Sequence, residues 1–176
     1  ELGEPVIKHV EKAKEIKEAP KAVSKELYHA NVDIQKILGA SGIGLKSDVK
    51  TVAKHSNAGQ VSYQWMSSND LYGSAQQMPI SNPNDFDNYV RDYLSMTEQR
   101  CTGDFAIIPS MTSGQGQARV DSYEIACVGA GVDSSASVVF FSKNGTFTIL
   151  AHEAPTEGMD LAMEARDKIV STISKS

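Results

Sequence analysis

The sequence predicts an α+β domain in which an antiparallel sheet of about four to five strands packs with two main helices, after an N-terminal helical extension. Three observations lead to this fold class. Apolar residues recur at helical spacing in two long segments, near residues 85–100 and 156–174. Between those segments the period shortens to two, which is typical of strands. Residues 1–58 instead carry short helical seams separated by proline and glycine.

The composition allows one main domain. A chain of 176 residues with 40% hydrophobic content can fill one core but not two full-sized ones. The net charge of −5 is unevenly distributed, because lysines concentrate before residue 60 and residues 61–176 are acidic. Nucleic-acid binding needs a concentrated basic surface, so a nucleic-acid partner is not expected. The early lysines are explained as solvated helix faces.

The predicted N-terminal helical region, residues 1–58, contains two or three short helices. Its clearest feature is a narrow apolar seam at spacings of three and four residues: Val23, Leu27, Ala30, Ile34 and Ile37. Gly39 ends this helix, and the glycine-rich residues 39–44 form a flexible joint. Three further apolar residues suggest a short third helix: Leu45, Val49 and Val52. Helices this short are marginal in water, so the seam must pack on the main domain, on a second copy or on a partner.

The main α+β domain is predicted to occupy residues 60–176. Residues 60–66 alternate between apolar and polar, as a half-buried strand does. A polar, turn-rich stretch then extends to Pro83. Residues 85–100 follow the helical pattern, with Gly103 just beyond their end.

Four strands and a helix complete the predicted domain. The strands are expected at about residues 104–109, 117–128, 136–142 and 146–152. Asn144 and Gly145 predict a tight hairpin between the last two strands, because both residue types tolerate positive φ. The final segment, 156–174, has the apolar face and the basic C-terminal end of a surface helix.

The two cysteines, Cys101 and Cys127, are predicted to form a disulfide. They lie in no Cys-x-x-Cys motif and near no histidine cluster of metal-ligand spacing. Closing the loop between them would stabilise the fold by roughly 3–4 kcal/mol. The bridge would join the first long helix to a central strand, and it indicates an oxidising compartment such as the periplasm or the secretory route. The alternative is a pair of buried reduced thiols in a cytosolic protein.

The chain is expected to be a periplasmic or secreted protein after removal of a signal peptide. It begins at Glu1 without an initiator Met, as a mature form would. No apolar run is long enough for a membrane-spanning helix, so no membrane span is expected in this chain.

Three segments carry a resemblance to a known fold: Tyr123–Cys127, Ser137–Ile149 and Ala165–Ile169. By the order of its elements, the region 60–176 resembles the Mog1/PsbP-like fold. That group includes thylakoid PsbP proteins and DcrB-like bacterial envelope lipoproteins. The resemblance implies an extracytoplasmic accessory or binding domain, and it supplies no active-site residue.

The sequence lacks the common catalytic motifs. It contains no nucleophile elbow, no phosphate-binding P-loop and no dinucleotide fingerprint, so the chain is predicted not to be an enzyme and to need no cofactor. His152 and Glu153 begin like a zinc-protease helix, but Thr156 stands where the second histidine is required. A weaker metal site could still gather His152, Glu153 and Glu157 at the corner between strand and helix.

Aromatic residues supply the candidate ligand-binding surface. Trp65, Tyr63 and Tyr72 are the candidates, because Trp and Tyr are favoured at interfaces. The alternative is that these side chains belong to the core.

These observations favour a non-enzymatic extracytoplasmic binding or accessory domain that acts through protein–protein interaction. The N-terminal helices would tether it, dock its partner or mediate self-association. Two other functions stay open at this point. One is a small-ligand or metal-binding protein with a site near His152, and the other is a pilin-like assembly subunit.

Overall fold

An antiparallel sheet with helices on both faces is formed by the residues that the computed structural model describes, 34–55, 59–113 and 119–175. The strands are β1 Lys50–His55, β2 Gln60–Met66, β3 Tyr72–Pro79, β4 Asp104–Ser113, β5 Arg119–Gly129, β6 Val132–Lys143 and β7 Thr146–Ala154. The helices are α1, described over residues 34–40, α2 Asp85–Arg100 and α3 Met159–Ser174. A 3-10 turn, Thr156–Gly158, precedes α3.

All seven strands belong to one sheet in the order β1-β2-β3-β7-β6-β5-β4. The two long helices predicted near residues 85–100 and 156–174 are confirmed, as is the hairpin between β6 and β7. Its turn residues Asn144 and Gly145 have φ angles of 52° and 75°. Positive φ at both positions matches the right-handed twist of the flanking strands.

The prediction of four to five strands is wrong, and one of the missed strands is β3. The stretch that contains β3 was interpreted as polar and turn-rich, because its glutamines and serines give little hydrophobic signal. β3 pairs with β2 on one side and with β7 on the other. A strand paired on both sides has its backbone groups satisfied by the ladder, so it can form with small and polar side chains. Gly73 and Ala75 lie buried in it.

The predicted N-terminal helical extension is wrong as a separate unit, because the described helix 34–40 packs into the main core. The proposed third helix is replaced by β1, which pairs with β2 and has a bulge between Thr51 and Ala53. The helical spacing around Val49 reflects only a weak local preference. The backbone hydrogen bonds that the open sheet edge offers outweigh this preference. Ile34 and Leu38 of α1 are fully buried in the main core. The rest of the predicted seam, Val23 to Ala30, lies outside the described residues.

The sheet has two faces with separate cores. On the α3 face, α1 and α3 pack over residues that include Val61, Tyr63, Val139 and Leu150. On the α2 face, Phe86 and Val90 of α2 pack over Ile125, Phe140 and Phe147. Alternation along each strand sends neighbouring residues to opposite faces, so β6 supplies both cores.

The disulfide between Cys101 and Cys127 is confirmed, with the two Cα atoms 5.7 Å apart. Cys101 directly follows α2, and Cys127 lies in β5. The bridge therefore ties the end of α2 to the sheet, as expected. Within the described ranges, no helix is both long and apolar enough to cross a membrane.

Candidate functional site

A row of side chains crosses the sheet beneath α3, and we call it the cross-strand row. Strand register places its members directly opposite one another: Trp65, Gly73, His152, Ser137 and Glu124. Directly paired residues of an antiparallel sheet project to the same face, so all of them meet the layer that contains α3. The row brings polar groups into an otherwise apolar core.

His152 and Trp65 form the centre of this row. The Trp65 Nε1–H donates a hydrogen bond to His152 Nε2 over 3.1 Å, and the two rings pack edge to face. Gly73 leaves room for the indole, since a Cβ at that position would lie 2.0 Å from ring atoms of Trp65. His152 is only 1% exposed. This burial lowers its pKa to about 4, so the imidazole is neutral at physiological pH.

The other half of the row anchors α3. The Ser137 hydroxyl donates to the carbonyl oxygen of Ala162 on α3. Glu124 accepts a hydrogen bond from Arg166, a buried guanidinium of the same helix that also pairs with Asp167. Buried polar groups must find such partners, because an unpaired one is costly in a low-dielectric interior.

Serine, histidine and glutamate thus lie side by side, but they do not have the relations of a catalytic triad. A nucleophile must donate to its base, whereas Ser137 donates to a backbone carbonyl. His152 Nε2, which could act as the base, is occupied by Trp65. Ser137 and His152 are both buried beneath α3. The row therefore serves to position α3.

The structure does not bring together the three residues of the proposed metal site. His152 and Glu153 are consecutive in β7, so their side chains lie on opposite faces of the sheet. Glu157 is exposed in the 3-10 turn. Glu153 instead faces Tyr72 across the β3–β7 pairing, and desolvation raises the pKa of this carboxyl. In the described part of the chain, no three His, Cys, Asp or Glu side chains are placed to hold a metal ion.

The three aromatic candidates also separate. Tyr63 and Trp65 are buried on the α3 face, where burial raises the pKa of the Tyr63 phenol to about 12. Tyr72 lies half-buried on the α2 face, opposite Glu153. The three do not form one ligand-binding surface, and the two buried members belong to the core.

An open cavity lies beside α3, and we call it the α3 cavity. It has a volume of about 280 Å³ and is formed by α3 with two loops, 42–44 and 68–71. Its wall is partly apolar, with Ile43, Leu71, Leu161 and Ala165. Leu161 is 41% exposed there. Glu164 and Lys168 form an ion pair of 2.8 Å on its lining.

Hydrogen bonds hold the two loops of the α3 cavity together. The Ser68 backbone N–H donates to the Gly44 carbonyl over 2.9 Å, and Leu45 forms an antiparallel bridge with Ser67. Lys46 pairs with Asp70. A Cβ at Gly44 would lie 2.1 Å from the Ser68 hydroxyl, so glycine is needed for this close approach.

Sequence reasoning missed the α3 cavity. It interpreted residues 39–44 as a flexible joint, since glycine spacing alone does not distinguish a hinge from a close backbone contact. The contact depends on the loop 68–71, which is distant in sequence. The only local signal was the density of glycine itself.

The sequence matches no protein-family model and no curated protein.

Proposed function

We propose that this chain is an extracytoplasmic binding domain that acts through a protein partner rather than through catalysis. The α3 cavity is the observation that carries this proposal. It presents an exposed leucine and an apolar wall beside charged groups, which is the composition of a small interaction site.

The chemistry of the cavity favours an apolar side chain of a partner. A volume of about 280 Å³ accommodates a side chain and leaves little room for a large cofactor. Glu164 and Lys168 beside the apolar wall supply one acceptor group and one donor group for the partner's backbone. The hydrogen-bonded loops are pre-organised, so little conformational entropy is lost on binding.

The disulfide supports the proposed extracytoplasmic location. Bridges such as Cys101–Cys127 form and persist in oxidising environments and are rare in the cytosol. The resemblance of residues 60–176 to Mog1/PsbP-like envelope domains points in the same direction and stays a prediction. The tether or docking role suggested for the N-terminal region, residues 1–58, is likewise a proposal.

The compartment is tested by the state of the two cysteines in the native host. Cells are precipitated with acid to stop thiol exchange, the denatured protein is treated with a maleimide polymer before and after reduction, and the size of the protein is measured. We expect modification only after reduction. Two free thiols without any reductant would contradict the extracytoplasmic assignment.

The binding role is tested with a photo-crosslinking amino acid at Leu161, in the α3 cavity. Met96 on α2 provides the matched control, because it is also an exposed apolar helix residue, with 52% exposure. We expect Leu161 to form an adduct with one discrete protein in the native host and Met96 to form none. Equal labelling at both positions, or no adduct at Leu161, would remove the cavity as the binding site.

A further inference from the structure

The two edges of the sheet differ in how they are protected. β1 carries Lys50 and Lys54 and a bulge, features that oppose pairing with another strand. In β4 the sequence has no charged residue after Asp104. Pro109 and the adjacent bulge interrupt only its second half, so Phe105–Ile108 remains a regular strand. Among the described strands β4 pairs with β5 alone, which leaves its outer backbone groups free of a strand partner.

Apolar surface flanks this edge on both faces of the sheet. On the α3 face, Ile108 is 56% exposed and Val128 of the neighbouring strand is also exposed. On the α2 face, a groove of about 340 Å³ lies between α2 and β4. Its apolar lining consists of Val90, Leu94, Ile107 and Tyr123. A free strand edge with apolar surface on either side is suited to strand addition.

The charges beside the groove indicate which strand would be added. Three charged residues of α2 line it. Asp87 is already paired with Arg119 of β5, and Arg91 and Glu98 lie on either side of Leu94. A two-fold axis perpendicular to the sheet at the β4 edge would make α2 antiparallel to its copy. Arg91 of one copy would then face Glu98 of the partner subunit. By symmetry, Glu98 of the first copy would face Arg91 of the partner subunit. The charges beside the groove of one copy are therefore complementary to those of a second copy.

We propose that β4 pairs with β4 of a second copy of this chain, forming an antiparallel two-fold dimer with one continuous sheet. Ile108 and Ala106 lie on the same face of β4, so the exposed apolar side chains of both copies would meet beside the new strand pair. This dimer is independent of the compartment and of the partner at the α3 cavity.

The first test measures the oligomeric state of the full chain by sedimentation velocity over a range of concentrations. We expect a dimer that Ile108→Lys weakens by on the order of a hundredfold, because two charges would be buried in the interface. Val52→Lys is the matched control, since Val52 is 49% exposed on the opposite edge strand. It should leave the dimer intact.

Three results would overturn the dimer. They are a wild-type chain that stays monomeric at its highest soluble concentration, an equal response to Ile108→Lys and Val52→Lys, and a monomer whose β4 edge is covered only by a different protein. Circular dichroism of each variant checks that it is folded, so that loss of the dimer is not mistaken for unfolding.

A charge-reversal cycle tests the two-fold arrangement. Arg91→Glu and Glu98→Arg should each raise the dissociation constant by roughly three- to tenfold, since each change affects two symmetric pairs. The double variant restores opposite charges and should bind nearly as tightly as the wild type. A double variant no tighter than either single variant would overturn the antiparallel arrangement of α2 and its copy.

Discussion

The two faces of the sheet are held to their helices by different chemistry. On the α2 face, a covalent bond between Cys101 and Cys127 adds to a cluster of edge-to-face aromatic contacts. On the α3 face, the polar contacts include the Trp65–His152 hydrogen bond, the bond from Ser137 and the ion pair of Glu124. An exposed ion pair of Arg119 with Asp87 also joins α2 to β5. The covalent link of the α2 layer therefore depends on redox conditions, and the buried histidine of the α3 layer depends on protonation.

This difference means that the two layers should loosen under different conditions. A disulfide acts mainly by restricting the unfolded chain, and its effect does not vary with mild acidification. A buried neutral histidine stabilises the fold only while it stays neutral. Each of the following changes is directed at one face, so that its effect on the other face serves as the comparison.

The largest effect is expected from removing the disulfide. Replacing both Cys101 and Cys127 by serine should lower the free energy of unfolding by roughly 3–4 kcal/mol, because the unfolded chain gains entropy. Urea denaturation measures the loss. Hydrogen exchange should show faster opening of the amides of α2 than of α3, and a uniform increase over both helices would contradict a local role of the bridge.

Acidification should act on the α3 face. Because the pKa of His152 falls from 6.5 to about 4 on folding, the unfolded chain binds a proton more readily, and stability falls as the pH drops from about 6.5 towards 4. The loss is about 3 kcal/mol at most. Glu153, whose pKa is raised, acts in the opposite sense and reduces the observed slope.

The matched variant for this pH effect is His152→Gln, which cannot be protonated in this range. Urea denaturation of both proteins from pH 7 to pH 4 should show a much weaker pH dependence for the variant. Equal slopes would mean that other groups cause the acid sensitivity. Hydrogen exchange at low pH should locate the opening in α3 and not in α2.

A substitution at Gly73 should disturb the cross-strand row. Gly73→Ala places a Cβ against the Trp65 ring and should destabilise the protein by about 1–3 kcal/mol through overpacking. Gly39→Ala is the control, because a Cβ there meets no atom within 4 Å. Indole fluorescence should change in the first variant only. Equal stabilities of the two variants would show that the Trp65 indole can adopt another position without cost.

The smallest effect is expected at Ser137. Ser137→Ala removes the donor to the Ala162 carbonyl and should lower the free energy of unfolding by about 1 kcal/mol. Ser171→Ala, at an exposed position of α3, should change it by only a few tenths of a kcal/mol. Thermal unfolding of both variants provides the measurement, and identical midpoints would show that this bond does not hold α3.

Part of the fold was predictable because its signals are local. The helical spacing of α2 and α3, the Asn144-Gly145 turn and the alternation in β2 depend on neighbouring residues only. β1 and β3 were missed because their formation depends on partners elsewhere in the chain. Residues 50–55 form a strand because they pair with the edge of β2, and β3 forms because it pairs with β7. β7 is distant from β3 in sequence, so no local pattern indicates this pairing.

The candidate site was less predictable than the fold. His152 was recognised as chemically interesting, but the strand alternation that separates it from Glu153 was not applied to the proposed metal site. Its true partner, Trp65, lies far away in sequence and comes into contact only through β3, where Gly73 leaves space for the indole.

The residues alone determined the two long helices, the hairpin and the disulfide, because these features depend on local stereochemistry and cysteine chemistry. The number of strands, the burial of α1, the cross-strand row and the α3 cavity were decided by tertiary pairing. The physical reason is that sheet hydrogen bonds and close packing depend on which segments, distant in sequence, come into contact. A single sequence does not show which segments these are.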